Sequence, residues 1–292
     1  MLKQDQIDFY NEHGYLAVEG VLSDAEVEDL RRVSDEFVAR SGAVTESDNV
    51  FDLEPGHTPE SPKLRRLKGP SAQHPVYEST LRHERIGDIV SELIGPHFRT
   101  NGDKLNMKSE EFGSPVEWHQ DWAFYPHTND DMLAVGVAID DMTRENGCLM
   151  VIPGSHRGKI YDHHDPDKGY FVGAVTEEEF DDSEAAMVEV EAGGISLHHV
   201  RALHGSLPND TSAPRRLLLL QMCAADAWPL CQPVPDWDAY NANMLRGETT
   251  TEPRMVELPF RVPLPAAPRA GSIYENQTLL TRTTFGASVR AG

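Results

Sequence analysis

Cysteine is scarce in this chain: Cys148, Cys223 and Cys231 are the only three in 292 residues, too few and too scattered for a disulfide framework or a metal knuckle. They read as reduced thiols of an intracellular protein. Long apolar runs are missing too, since the longest, Leu217 to Leu220, falls far short of the roughly 20 residues a membrane-spanning helix needs. The opening Met1-Leu2-Lys3-Gln4-Asp5-Gln6-Ile7 has no apolar stretch of the secretory kind. A cytoplasmic address is expected. Positive charge is the remaining shortage: 26 Lys and Arg stand against 48 Asp and Glu, a net charge of −22. Such a surface repels nucleic acid and anionic membranes, which leaves a small molecule as the expected partner. It argues only weakly against an anionic substrate, because a cavity can be basic inside an acidic shell.

What is present suits a globular enzyme. The length allows either two small domains or one large β-barrel domain with helical additions. No repeat or low-complexity linker divides the chain. Residues 1–100 read as mainly helical. Ser23-Asp24-Ala25-Glu26 has the form of a capping box, and Val27, Leu30, Val33 and Phe37 follow at helical spacing. Ile86, Ile89, Val90, Leu93 and Ile94 make a second apolar stripe, stopped by Gly95-Pro96. Both stripes predict core packing.

After residue 100 the texture changes to short apolar or alternating segments: Leu105–Lys108, Leu133–Ile139, Cys148–Ile152, Met187–Val190, Ile195–Leu197 and Leu217–Cys223. Gly, Pro, Asn and Asp punctuate them, the pattern of many short strands in a sandwich or barrel. The polar 162–184 region, with Glu177-Glu178-Glu179, predicts a solvated loop or a mobile lid over a pocket.

Trp118-His119-Gln120-Asp121 contains the pair His-x-Asp. On a strand, residues two apart face one way, so both side chains can reach one ion. With a distant second His they form the two-His-one-carboxylate facial triad, which leaves sites on Fe(II) open for a co-substrate and O2. Among 13 His and many Asp, about one such pair arises by chance. A second copy indeed stands at His163-His164-Asp165, in a polar stretch beside Pro166, and reads as a decoy. The first copy has company. Downstream comes His204-Gly205-Ser206-Leu207-Pro208-Asn209, and Arg215 follows His204 by eleven residues. An Arg there can clamp a dicarboxylate with its planar fork, which Lys does poorly.

These residues together resemble the phytanoyl-CoA dioxygenase family of Fe(II)/2-oxoglutarate-dependent oxygenases. The likeness begins at Phe9-Tyr10-Asn11-Glu12-His13-Gly14-Tyr15, runs through Leu93-Ile94-Gly95-Pro96, and is densest from Trp118 to Arg215. Glu145-Asn146-Gly147-Cys148-Leu149 and Ile152-Pro153-Gly154-Ser155-His156 look like the family's "Asn-Gly-Cys-Leu … Pro-Gly-Ser-His" signature. The resemblance implies a mainly β fold with flanking helices, a double-stranded β-helix (jelly roll, cupin-like). It would form one oxygenase domain over 1–292, with a mainly helical N-terminal segment over 1–100, a jelly-roll core over 101–230 and a C-terminal extension over 231–292.

By the same resemblance His119, Asp121 and His204 are the catalytic iron ligands. Arg215 and Ser206 take the distal carboxylate of 2-oxoglutarate, and Asn106 touches that co-substrate. Lys104, on the same strand face as Asn106, contacts co-substrate or substrate, or is a surface lysine. Trp122, Phe124, Tyr125 and His127 line the pocket mouth or pack as ordinary aromatics, and the segment after Trp228 caps the site. His198 and His199 compete with His204 as the distal ligand, but neither has an Arg eleven residues on. Arg216 competes with Arg215; neighbours on a strand face opposite ways, and the spacing favours Arg215. Val137 stands where phytanoyl-CoA hydroxylases carry Trp, which counts against a long acyl-CoA substrate, and Gly193-Gly194 departs from a Gly-Asp found in some relatives.

The implied activity is a 2-oxoglutarate-dependent dioxygenase that hydroxylates a C–H bond of a small organic substrate and releases succinate and CO2. Asp121 argues for hydroxylation, because related halogenases carry a small residue there. The competing readings are a non-catalytic metal-binding jelly roll, an acyl-CoA hydroxylase proper and a cupin-like zinc hydrolase or isomerase.

Overall fold

Two antiparallel sheets frame the protein. The computed structural model describes residues 1–110, 113–176, 181–268, 271–280 and 282–285, so the expectation for Glu177-Glu178-Glu179 falls outside the described residues. The strands are β1 (Tyr15–Val18), β2 (Phe51–Leu53), β3 (Leu64–Lys68), β4 (Phe98–Lys108), β5 (Val116–His119), β6 (Met132–Ala138), β7 (Leu149–Val151), β8 (Ala186–Val188), β9 (Ile195–His199), β10 (His204–Ser206), β11 (Arg215–Ala224) and β12 (Met244–Arg246). The large sheet runs β1-β9-β6-β11-β4-β3-β2, with β12 also pairing β4, and the small one runs β5-β10-β7-β8. This is the expected jelly roll.

Seven helices flank the sheets among the described residues: α1 (Gln4–His13), α2 (Asp24–Ser41), α3 (Pro70–Gln73), α4 (Pro75–Leu81), α5 (Glu84–Ile94), α6 (Trp237–Ala242) and α7 (Ile273–Gln277). Helix α2 starts as its sequence demands. The Ser23 hydroxyl accepts from the Glu26 amide, and the Glu26 carboxylate accepts from the Ser23 amide at 2.8 Å. Its stripe Val27, Leu30, Val33 and Phe37 is buried, as are Ile86, Ile89, Val90 and Ile94 of α5. Both stripes pack on the outer face of the large sheet, against Leu105, Val135, Val137, Leu218 and Leu220. Burying each such side chain stabilises the fold by about 1.5–3 kcal/mol.

Alternation sends every second strand residue to the inner face. There Lys104 and Asn106 of β4, Ala134 of β6, Ser196 and His198 of β9, and Leu217, Leu219 and Gln221 of β11 line a cavity between the sheets. Gly136 belongs to the same floor. A Cβ there would come within 2.6 Å of Ser196 Oγ and 3.1 Å of Leu217 Cδ1, so the strand keeps a glycine where the cavity needs the room.

Residues 1–100 carry helices α1 to α5 and also contribute strands, β1 forming one edge of the large sheet and β2 and β3 the other. The β3 pattern Leu64-Arg65-Arg66-Leu67 is hard to read as a strand because both arginines are buried with the leucines. Val137 is fully buried on the helix-facing side of β6, so its difference from Trp concerns the core and not the cavity. No helix among the described residues is long and apolar enough to cross a membrane.

Candidate active site

His119 ends β5 and His204 begins β10, and the two are direct register partners across the small sheet. Their rings lie 4.0 Å apart. Asp121 reaches them by a route that strand alternation does not describe. The strand stops at His119, and Asp121 opens a 3-10 turn, Asp121–Ala123, closed by the Phe124 amide bonding to the Asp121 carbonyl at 3.0 Å. The turn folds the carboxylate back, so that one ligand atom from each of the three residues lies within 4.8 Å of the others, and all three side chains are buried.

The chemistry of the three groups fits a divalent transition metal. His119 Nδ1 donates to the Glu117 carbonyl and His204 Nδ1 to the Ala202 carbonyl, both at 2.9 Å. That fixes the tautomer and leaves each Nε2 lone pair for an ion. Burial pushes the His119 pKa down to about 4, against the pull of Asp121, and holds His204 well below the usual imidazole range. Burial would raise the Asp121 pKa, but His198, Lys104 and His204 outweigh it and hold it well below the usual carboxylate range. Two neutral imidazoles and one carboxylate are the donor set of a two-His-one-carboxylate Fe(II) site.

Gln120, between the ligands, is fully buried and clamped. Its amide donates to His163 Nε2 at 2.9 Å, and its side chain bonds the Arg201 carbonyl at 2.8 Å and the Tyr161 amide at 2.9 Å. The second His-x-Asp copy is thus no rival metal motif, but neither is it a solvated loop: His163, His164 and Asp165 are buried, and His163 braces the metal turn.

The cavity measures about 60 Å³ and runs along β11 from Arg215 to Gln221. Arg215 is buried, and Nη2 donates to the Gly147 carbonyl at 2.7 Å while Nε has no partner. The signature residues aim it. Asn146 Oδ1 accepts from the Thr143 amide at 2.9 Å and shapes the turn in which Gly147 takes φ +77°. A side chain at Gly147 would strike the Leu207 carbonyl at 2.2 Å. Asn209 Nδ2 ties the returning loop to the Ala213 carbonyl at 2.8 Å, just ahead of Arg215. Ser155 Oγ accepts from the Leu203 amide at 2.8 Å and so steadies the entry to His204. Arg216 faces the other way and chelates Asp140 at 2.7 and 2.8 Å, with Asp35 at 2.6 Å.

Asn106, Ser206 and Lys104 all line the cavity with Arg215. Asn106 accepts from Arg66 Nε at 3.1 Å. Lys104 is drawn down to about pH 8 by burial, opposed by Asp121. Sequence reasoning missed Lys108, two further along the same face of β4. It is buried, donates to Ser206 Oγ at 2.9 Å and to the Leu207 carbonyl, and burial plus Arg215 holds its pKa well below the usual lysine value. The alternation Lys104-Asn106-Lys108 is the signal that could have found it. Lys104 and Arg215, which line the cavity together with Asp121, have no ion-pair partner within 4 Å among the described residues, in a strongly acidic protein.

Trp122 does not line it. Its indole donates to the Pro259 carbonyl at 3.0 Å and packs with Met132, Val200 and Cys223. Tyr125 is not among the lining residues, but its hydroxyl accepts from Gln221, and burial and Asp121 hold its pKa well above the usual phenol value, while His127 is turned to the Tyr125 carbonyl at 2.8 Å. Phe124 meets the His119 ring edge-on at 5.9 Å. His199 lies outside the cavity lining, 3.9 Å from Asp130, whereas His198 lines it, 3.6 Å from Asp121. The C-terminal segment supplies Ile273 and Tyr274 of α7, which no sequence signal singled out. Gln277 anchors α7 to the metal strand by accepting from the Glu117 amide at 3.0 Å, and Arg65 and Arg66 stack on Tyr274 at 4.7 and 5.2 Å.

With this geometry in hand, the likenesses to known proteins can be read. The profile of the phytanoyl-CoA dioxygenase (PhyH) family matches residues 10–217. A probable alpha-ketoglutarate-dependent hypophosphite dioxygenase of Stutzerimonas stutzeri is 37% identical over 280 residues, covering 94% of this chain and 97% of that protein. A methylphosphonate hydroxylase of Gimesia maris is 29% identical over 220 residues, covering 75% of this chain and 80% of the relative. Among solved structures, EctD from S. alaskensis in its apoform superposes with a TM-score of 0.65 at 23% identity, over 90% of this chain and 89% of that one.

Proposed function

Because the chain belongs to the phytanoyl-CoA dioxygenase family, we propose that His119, Asp121 and His204 hold Fe(II), and that Arg215 and Ser206, backed by Lys108, hold the distal carboxylate of 2-oxoglutarate, with Asn106 beside it. The protein is an Fe(II)- and 2-oxoglutarate-dependent dioxygenase acting on a small molecule. The observation that carries the residue assignment is the pair of Nδ1-anchored imidazoles facing Asp121 in a cavity that ends on an unneutralised guanidinium. Neither a bare metal-binding jelly roll nor a zinc hydrolase needs that guanidinium.

Iron and the keto-diacid supply the oxygen activation: one atom of O2 enters the substrate, the other ends in succinate, and CO2 leaves. The chain contributes orientation and exclusion. Arg215 offers a two-pronged fork to a carboxylate, the paired β5 and β10 fix the ligand spacing, and Ile273 and Tyr274 screen the cavity from water.

For the substrate, the two relatives named above act on small phosphorus compounds. The proposed class is therefore a compact phosphorus oxyanion. Methylphosphonate offers the C–H bond expected from the sequence, and hypophosphite offers a P–H bond in its place. The three free thiols support a reducing, cytoplasmic setting.

The test is succinate release under Fe(II), 2-oxoglutarate and O2, with phosphorus-31 NMR of the products. Phosphite from hypophosphite, or hydroxymethylphosphonate from methylphosphonate, is expected at one equivalent per succinate. Coupled turnover of ectoine or proline, with both phosphorus compounds inert, would remove the proposed substrate class and leave the dioxygenase standing.

A further inference from the structure

Once the metal and the keto-diacid have their residues, one set of buried polar groups is left over. The inner face of the large sheet is arranged in rungs across its paired strands. Arg215 pairs Lys108, Leu217 pairs Asn106, and Leu219 pairs Lys104 and Gly136. Gln221 pairs Ala134, which in turn pairs His198. The first rung is the cationic end already assigned to the distal carboxylate of 2-oxoglutarate. The last rung, with Lys104 one step in, forms the opposite end.

His198 is the unusual member. It is 2% exposed, it lines the cavity, and neither ring nitrogen has a hydrogen-bond partner among the described residues. Four other buried imidazoles, those of His119, His127, His163 and His204, are satisfied at Nδ1 by a main-chain carbonyl two residues back. His198 lacks that bond. Its Nε2 lies 3.6 Å from Asp121 Oδ2, just beyond hydrogen-bonding range, and its ring lies 4.2 Å from that of His204. A buried ring that makes no hydrogen bond of its own beside a reaction centre keeps hydrogen-bonding capacity for a ligand.

The groups around it define that partner. Lys104 has no carboxylate within ion-pair distance among the described residues, Gln221 lines the same end, and its amide is held by the Tyr125 hydroxyl. Ala134 and Gly136 keep the floor low. The space is short, donor-rich and positively charged, which suits an anion of few atoms with several acceptor oxygens. We propose that His198 and Lys104, walled by Gln221, are the substrate-anion clamp, binding two oxygens of a tetrahedral phosphorus oxyanion on the Asp121 side of the metal triad. This rests on the substrate class proposed above. The overall exchange stays balanced: substrate, O2 and 2-oxoglutarate give oxygenated substrate, succinate and CO2, and the clamp itself changes no bond.

The alternative role for His198 is to steady Asp121 by a hydrogen bond, and the experiment separates the two. Anaerobic protein loaded with Fe(II) and 2-oxoglutarate is titrated with hypophosphite and with methylphosphonate. Heat of binding and the change in the visible band of the iron chelate are both followed. His198→Leu and Lys104→Met are each expected to weaken anion binding at least 30-fold. His198→Asn, which keeps a donor, should recover most of the loss, and 2-oxoglutarate affinity should stay within threefold throughout. If wild-type protein binds an anion and the Leu and Met variants bind it equally well, the clamp is wrong and the substrate class survives. Loss of Fe(II) or 2-oxoglutarate affinity in His198→Leu, with anion binding by Lys104→Met intact, assigns His198 to Asp121 and overturns the clamp. If wild-type protein binds neither anion, the substrate class and the clamp fall together. Should His198→Leu fail to fold, as judged by its melting curve, the Lys104→Met and His198→Asn titrations still decide.

Discussion

Arg215 and Arg216 are adjacent, both buried, and on opposite faces of β11, so replacing each in turn separates function from stability. Among the described residues Arg215 makes one hydrogen bond, to the Gly147 carbonyl, and has no carboxylate partner. Arg215→Leu therefore costs the free protein about 1 kcal/mol for the stranded carbonyl, offset by no longer burying an unpaired cation. Its melting temperature should fall by no more than about 4 °C. Binding of 2-oxoglutarate should suffer far more. A fork gripping a carboxylate makes two charge-assisted bonds together worth about 3–4 kcal/mol, or between roughly 10²- and 10³-fold in affinity. Arg215→Lys keeps the charge and loses the fork, and should weaken binding by about 10- to 30-fold.

Arg216→Leu reverses the pattern. It breaks the bidentate grip on Asp140 and the contact to Asp35. Discounted for the exposure of Asp35, the loss is about 2–3 kcal/mol of stability, with the KM for 2-oxoglutarate unchanged. The assays are succinate formation against 2-oxoglutarate concentration, and melting with and without the co-substrate, which should raise the wild-type melting point but not that of Arg215→Leu. An Arg215→Leu enzyme whose 2-oxoglutarate KM stays within threefold of wild type would refute the assignment of this guanidinium.

Three further outcomes are expected. Burial holds His127 and His163 down to about 4 and His199 down to about 3, so each is neutral in the native state while the unfolded chain takes up a proton below its ordinary value of 6.5. The stability these three groups contribute should be level above that value and fall as pH drops from 6.5 towards 4, by up to about 1.4 kcal/mol per unit for each group; urea midpoints that do not move between pH 6.5 and 5.5 would contradict it. Gly136→Val should leave a folded protein whose cavity is partly filled, since a Cβ there already crowds Ser196 and Leu217; 2-oxoglutarate binding should weaken at least tenfold by calorimetry, and unchanged affinity would show that the floor is not used. His163→Leu removes the acceptor for the Gln120 amide and should loosen the metal turn, weakening Fe(II) binding roughly tenfold in a chelator competition; an unaltered iron affinity would make His163 a packing residue only.

The regions of the site that follow a period are open to reading from the sequence. Strand alternation tells Arg215 from Arg216 and puts Lys104 and Asn106 on one face, and the same rule applied once more names Lys108. The helix stripes and the Ser23 capping box are legible for the same reason, because each is a local pattern with a local cause. Where the sequence falls short, distant contacts are at work. Alternation would have His119 and Asp121 meet on one strand face, yet a 3-10 turn brings them together, held by Gln120 through partners at Lys159, Tyr161, His163 and Arg201. Trp122 looks like a pocket aromatic, and only the position of Pro259 draws it into the core. His163 belongs to a motif that chance alone explains, and Tyr274 to none. The buried arginines of β3 hide a strand behind charges.

The wall made by Ile273 and Tyr274 has a bearing on how the protein is born. Both sheets, the triad and Arg215 are encoded upstream of residue 225, apart from the short β12, while the last panel of the chamber arrives only with α7. A nascent chain can therefore pair these strands before α7 is made, and the cavity gains its Ile273 and Tyr274 wall only once Gln277 takes the Glu117 amide. Until then the cavity beside His119, Asp121 and His204 lacks that wall.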